Sequence, residues 1–304
     1  MRILITGASG LLGVNLALEA AKAHTVFGQV NSRRLNTSAF QVIQSDLLAP
    51  QAVQRLLEQT QPEWIIHCAA QANVDACEAD PAQAHQLNTE IPAQLAVHVA
   101  RGGARLLHVS TDAVFDGRAG SYTEQDQPNP LSVYARTKLE GEQAVAAADP
   151  QAIIARVNLF GWSMIGTRSL AEFFFYNLQA KKRVMGFTDV FFCPLLANDL
   201  AGIFLKMFEK GLSGLYHVVS HDCMSKYDFG VAIARKFDLD EGLITPTSVA
   251  NAPLKAARSP NLTLCTDKLS TALGESLPTI STGLAGFHTL YQQNYPQFLK
   301  GLST

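Results

Sequence analysis

The stretch Thr6-Gly7-Ala8-Ser9-Gly10-Leu11-Leu12-Gly13 follows the apolar run RILIT and opens directly into LLGVNLALEAAKA, a helix pattern. Its glycines are spaced G-x-x-G-x-x-G. Glycine at these places lets the chain turn tightly, lets backbone approach a diphosphate, and lets helix and strand pack closely. The helix that begins here offers unpaired N–H groups to an anion. The turn predicts a strand–loop–helix unit with a phosphate cradle made of Gly7, Ser9, Gly10, Leu11, Leu12 and Gly13. A glycine triplet alone is a weak signal, and its place between a first strand and a first helix is what gives it weight.

Outward from this turn, short apolar runs alternate with longer amphipathic ones: TVFGQV, AVQRLLEQT, WIIHCAA, PAQAHQLNTEIPAQLAVHVAR, ARLLHVS, SVYARTKLEGEQAVAAA and AIIARV. This alternation is that of βαβ units feeding a parallel sheet. The expected fold is α/β, a doubly wound parallel sheet of the Rossmann kind over residues 1–160. After residue 160 the order loosens, with helix patterns at Ser169 to Ala180, Asn198 to Glu209, SKYDFGVAIARKF and Ser281 to Gln293, and a strand at LYHVV. These read as a smaller C-terminal α/β substrate lobe over residues 161–304, some segments of which return to the first domain. The polar stretch YTEQDQPNPLS before Val133 has the length and composition of a loop at the mouth of a site.

Composition narrows the classes of function. The 304 residues are 47% apolar and 16% charged, with 24 Lys and Arg against 26 Asp and Glu. An apolar fraction this high excludes a disordered chain. Near-neutral charge without charge runs gives no pull toward nucleic acid or an acidic membrane surface, and a small anionic ligand needs only a local patch. The five cysteines, Cys68, Cys77, Cys193, Cys223 and Cys265, form no C-x-x-C pair and have no histidine at zinc-finger spacing, so no structural metal is expected. The opening residues hold too short an apolar run for a signal peptide, and no run approaches a membrane span. These observations predict a soluble cytoplasmic protein with reduced thiols. A homodimer is the commonest symmetric assembly, and no interface is legible in the chain.

The end of the second strand discriminates between cofactors. Sites that prefer NAD place an acid there for the ribose 2′-hydroxyl, whereas an arginine accommodates a 2′-phosphate. Here Asn31, Ser32, Arg33 and Arg34 fill the stretch. NADP(H) is therefore expected over NAD(H), with Arg33 and Arg34 as phosphate readers. The alternative is two solvated arginines on a loop. Asp46 and Leu47, after the third strand, fall where an adenine would lie. Cys68, Ala69 and Ala70 end the fourth strand, where small residues let a cofactor approach.

Tyr134 and Lys138 stand at i and i+4 of a helix pattern and share one face. A free tyrosine titrates near 10, and a neighbouring ammonium favours its phenolate, so the pair predicts an acid/base with a lowered tyrosine pKa. Thr111 ends the fifth strand, where open α/β sheets bind ligands, and its hydroxyl can hold a substrate oxygen.

In these residues the chain resembles the extended short-chain dehydrogenase/reductases, and more closely their dTDP-4-dehydrorhamnose reductase branch. The branch motif S-(S/T)-D-x-V-F-D-G is similar to Ser110 through Gly117. Its Y-x-E-x-D-x-x-x-P is similar to Tyr122, Glu124, Asp126 and Pro130, and its Y-(G/A)-x-(S/T)-K-x-x-G-E to Tyr134 through Glu142. CPLLANDLA and SKYDFGVAIA extend the likeness over nearly the whole chain. The resemblance implies reduction of the 4-keto group of a nucleotide-diphosphate-linked 6-deoxyhexose. Tyr134 is then the proton donor, Lys138 the ribose ligand and Thr111 the group that polarises the ketone. It also implies that Val114, Phe115, Asn158 and Arg258 meet the substrate.

Two departures qualify the likeness. Asn158 stands before Leu159-Phe160-Gly161 as in the wider epimerase and dehydratase group, and a loop-capping role is its alternative. In Arg258-Ser259-Pro260-Asn261-Leu262-Thr263-Leu264-Cys265 the branch's R-P-x-N-x-x-L-D has a shifted proline and no final Asp. An epimerase needs a further acid/base pair, for which Cys193 and His217 are chemically competent, although both lie in apolar runs. A dehydratase wants an acidic pair beside Thr111, where Asp112 is one acid. The branch also resembles the regulatory β subunit of methionine adenosyltransferase, in which the same fold serves as a binding partner.

Overall fold

The computed structural model describes residues 1–251 and 259–303. Its centre is a seven-stranded sheet. Five strands follow the quoted runs, β1 (Arg2–Thr6), β2 (Thr25–Val30), β4 (Trp64–His67), β5 (Arg105–Thr111) and β6 (Ile153–Val157), and β3 (Gln41–Gln44) is the third strand that precedes Asp46. The seventh is Gly214–Val218, the LYHVV run, which pairs with β6. All neighbours are parallel, in the spatial order seventh strand, β6, β5, β4, β1, β2, β3.

Helices cover both faces, which is why β4 and β6 are buried at every position. Strand periodicity sends Ile3 and Ile5 into one core and Leu4 into the other. In chain order the helices are α1 (Leu11–Ala20), α2 (Ala52–Thr60), α3 (Val74–Ala79), α4 (Pro81–His85), α5 (Ile91–Gly102) and α6 (Val133–Ala148). They continue with α7 (Leu170–Gln179), α8 (Ala197–Glu209), α9 (Lys226–Lys236), α10 (Asp267–Leu273), α11 (Ile280–Gln292) and α12 (Tyr295–Gly301). None of these is long and apolar enough to cross a membrane.

The residues after 160 are interleaved with the sheet. Trp162 stacks on Phe287 at 3.8 Å and donates its indole N–H to the Phe287 carbonyl at 2.9 Å. Both belong to the core that contains Ile3 and Ile5. Tyr295 Oη donates to Asn15 Oδ1 at 2.9 Å, which brings α12 back onto α1. The satellite structure is small: Val184–Phe187 pairs with Ile244–Thr247, and Phe191–Phe192 pairs with Met224–Ser225.

That last pairing corrects the expectation of reduced thiols, because it carries Cys193 and Cys223 to a Cα separation of 4.2 Å, where they form a disulfide. Their wide separation in sequence gives no spacing signal for it. Cys68, Cys77 and Cys265 are free.

Candidate active site

The strand order reverses between β1 and β4, and open sheets of this kind bind ligands outside the carboxyl ends of the strands at such a point. Here a cavity of about 570 Å³ opens. Gly7, Gly10, Leu11, Leu12 and Gly13 line it on one side, and Thr111, Tyr134, Lys138 and Asn158 on the other. A second cavity of about 310 Å³ adjoins it and takes in Ser9, Arg33, Asp46, Leu47, Cys68, Ala69 and Ala70. The fold thus brings together glycine-loop and strand-end residues that are far apart in sequence.

Gly7 adopts φ +68°, and a Cβ there would meet the backbone of Ala69 at 2.8 Å. A Cβ on Gly13 would stand 2.2 Å from the Gly7 carbonyl oxygen. The surface of the loop is consequently bare backbone. Helix α1 follows with no side-chain cap and no acid in its first turn, so its terminal N–H groups are left for an anion. These residues fit the diphosphate of a dinucleotide. Gln29 stitches the loop in place, accepting from Gly7 N at 2.9 Å and donating to the Ser45 carbonyl at 2.6 Å. No acid ends β2; Arg33 faces the second cavity, while Arg34 lies outside its wall with Nε donating to Gln44 Oε1 at 3.2 Å.

Helix α6 carries the other wall. Ser132 caps it by accepting from Ala135 N at 3.2 Å. Glu142, one turn beyond Lys138, is buried against Arg156 of β6, at 2.7 Å from Nη2 and 3.0 Å from Nε. It also accepts from Ser110 Oγ at 2.5 Å. One carboxylate therefore fixes α6 to β5 and β6 beside Thr111. Lys138 Nζ donates to the Val109 carbonyl at 2.6 Å and lies 3.3 Å from His108 Nε2. His108 stacks on His67, whose Nδ1 is 2.7 Å from Thr6 Oγ1. Burial, with the Lys138 charge adding to it, holds His67 down to about 3 and His108 well below the usual histidine range, so both are neutral at ordinary pH.

Tyr134 departs from expectation. Burial pushes its phenol up to about 12, against a hydrogen bond with Thr111 that favours the phenolate. The lowering expected from Lys138 is not met: burial dominates. Burial also brings Lys138 down to about 8, with Glu142 opposing. Thr111 Oγ1 donates to Asp112 Oδ1 at 3.1 Å and accepts from Ala113 N at 3.2 Å. Asp112 is buried, accepts from Asn158 Nδ2 at 2.5 Å, and is raised to about 6 by burial in opposition to these hydrogen bonds.

Several expected residues do not meet the cavity. Val114 and Phe115 are fully buried in a small apolar cluster, Phe115 stacked on Tyr122 at 4.1 Å, so their side chains cannot touch a substrate. Arg258 lies outside the described residues. Cys193 is tied in the disulfide, and His217 is buried beside Phe115 and held down to about 3 by burial and the nearby Arg156 charge. Neither supplies an epimerase acid/base pair. The YTEQDQPNPLS stretch divides: Tyr122 is core, whereas Leu131 and Ser132 line a third cavity of about 140 Å³ with Tyr134, Asn158, Phe191 and Lys226. Residues that sequence reasoning missed are Gln29, Arg168, Phe191 and Lys226. Lys226 stands within SKYDFGVAIA, where nothing in the sequence marks it for the site, and the other three lie outside the motifs read above.

Fold and site together define a doubly wound α/β protein with a dinucleotide cradle facing a Thr/Tyr/Lys wall, the arrangement of the extended short-chain dehydrogenase/reductases. Within that class the chain belongs to the family described as RmlD substrate binding domain, which matches residues 1–292. The chain is 33% identical to the "Probable low-salt glycan biosynthesis reductase Agl14" of Haloferax volcanii, over 96% of this chain and 98% of the relative. It is 35% identical to methionine adenosyltransferase 2 subunit beta of Mus musculus, over 91% and 84%. The solved structure of dTDP-4-dehydrorhamnose reductase from Bacillus anthracis, in complex with NADP, aligns with a TM-score of 0.81 at 25% identity, over 95% of this chain and 98% of that one.

Proposed function

We propose that this protein reduces the 4-keto group of a nucleotide-diphosphate-linked 6-deoxyhexose with NADP(H). The observation that carries the reading is the continuous cavity joining the glycine loop to Thr111, Tyr134 and Lys138. When bound, the reduced nicotinamide supplies the hydride. Thr111 and Tyr134 hold the ketone oxygen, and the phenol, protonated across the neutral range, gives its proton to that oxygen as negative charge develops. Lys138 supplies positive charge beside the ribose. Arg33, with no acid at the end of β2, favours NADPH over NADH. Asn158 meets the sugar nucleotide, and the cavity lined by Leu131 and Phe191 takes the sugar side.

NADPH oxidation, followed by its absorbance with dTDP-4-keto-6-deoxyhexose and with NADH in parallel, tests the reading. Turnover favouring NADPH supports it. Tight NADPH binding with no turnover, and capture of a methionine adenosyltransferase catalytic subunit, would shift the weight to a regulatory binding role. The 35% identity to the mouse β subunit favours that second reading.

A further inference from the structure

The two larger cavities share five wall residues: Gly7, Gly10, Cys68, Ala70 and Arg168. These form a waist, with Arg33 and Asp46 on one side and Thr111, Tyr134 and Lys138 on the other. Four of the five are small or thiol side chains, and Arg168 is the charged one. It comes from a separate part of the chain, the stretch between β6 and α7. That stretch is pinned by the Glu172 carboxylate, which accepts from the backbone N–H groups of Ser163 at 2.6 Å, Arg168 at 2.9 Å and Ser169 at 3.2 Å. The Arg168 backbone is thus fixed while its side chain is exposed. Among the described residues its guanidinium forms none of the ion pairs with Asp or Glu.

We propose that Arg168 is a second anion reader, closing on the diphosphate of an elongated dinucleotide whose other side rests on the Gly7–Gly13 backbone. The inference rests on the dinucleotide reading above and adds a residue to it. A ligand reaching from Arg33 to Lys138 has to cross the waist, and a diphosphate is the anionic middle of a dinucleotide. A planar guanidinium matches two phosphate oxygens at once, which an ammonium does not.

The test measures NADPH, 2′-AMP and dTDP affinities by calorimetry for the wild type, Arg168→Gln and Arg168→Lys, with melting temperatures of the ligand-free proteins as the folding control. The expected result is a loss of NADPH affinity of about 10-fold or more in Arg168→Gln, since bonds to a charged group are lost. Arg168→Lys recovers part of it. Affinity for 2′-AMP, which has no diphosphate, stays unchanged. NADPH affinity unaffected by Arg168→Gln overturns the proposal. So does a parallel fall for NADPH and 2′-AMP, which marks general damage to the site. Loss of dTDP affinity with NADPH intact overturns it by assigning Arg168 to the sugar nucleotide instead. Failure of the wild type to bind NADPH or NADH at all defeats the dinucleotide reading itself, and this inference with it.

Discussion

Glu142→Gln removes one charge from a buried cluster and changes the side-chain volume little. In the native protein both Glu142 and Arg156 are nearly inaccessible, and the carboxylate also takes the Ser110 hydroxyl. The amide leaves the Arg156 guanidinium buried without a counter-charge, a change that costs about 3–5 kcal/mol. With an unfolding entropy of roughly 2.1 cal/mol/K per residue, the 304-residue chain has a total near 0.64 kcal/mol/K, so Tm falls by about 5–8 °C. Thermal unfolding followed by circular dichroism measures it directly. The pair Glu142→Leu with Arg156→Met supplies the control: exchange of a buried ion pair for apolar groups is often neutral or stabilising, so this variant melts well above Glu142→Gln. A Tm for Glu142→Gln within about 1 °C of the wild type would refute the reasoning, since a loss of only ~1 kcal/mol is typical of an exposed pair.

Two further outcomes follow from the site. Arg33→Ala weakens NADPH binding and leaves NADH nearly unaffected, whereas Arg34→Ala changes neither, because Arg33 lines the cavity and Arg34 is turned to Gln44; fluorescence titration with both cofactors checks this. Asp112 gives a pH signature. Its folded pKa is raised to about 6, so between the ordinary carboxylate range and about 6 the native state holds a proton that the unfolded chain has released. Wild-type stability falls as pH rises through that window. Asp112→Asn therefore gains on the wild type from about pH 4 to pH 6, and the gain levels off above; urea unfolding across pH that shows a constant difference would contradict the assignment.

Much of the fold is legible in the sequence because its strands are buried on both faces and read as mostly apolar runs, as in WIIH and in IIARV around its one buried arginine. The glycine loop is legible for a different reason: its geometry admits no Cβ at Gly13. Legibility fails where contacts are long-range. LYHVV looks like lobe structure until its pairing with β6 is seen. Cys193 and Cys223 carry no local mark of the strand pair that joins them. Val114 and Phe115 sit inside a specific motif, yet their side chains build the core under it. The lowered phenol expected of Tyr134 fails because burial pushes it the other way, and i,i+4 spacing says nothing about burial. Arg168 belongs to no motif, and only the shape of the two cavities shows it.

The central claim is hydride delivery to a keto sugar at the Thr111, Tyr134 and Lys138 wall. The most direct measurement uses NADPH deuterated at the transferring position with dTDP-4-keto-6-deoxyhexose, the product read by mass spectrometry and NMR. The account predicts one deuterium at C4 of the sugar with the wild type, and none with Tyr134→Phe, which still binds NADPH. Label that never reaches the sugar despite bound NADPH, or full transfer by Tyr134→Phe, would contradict it.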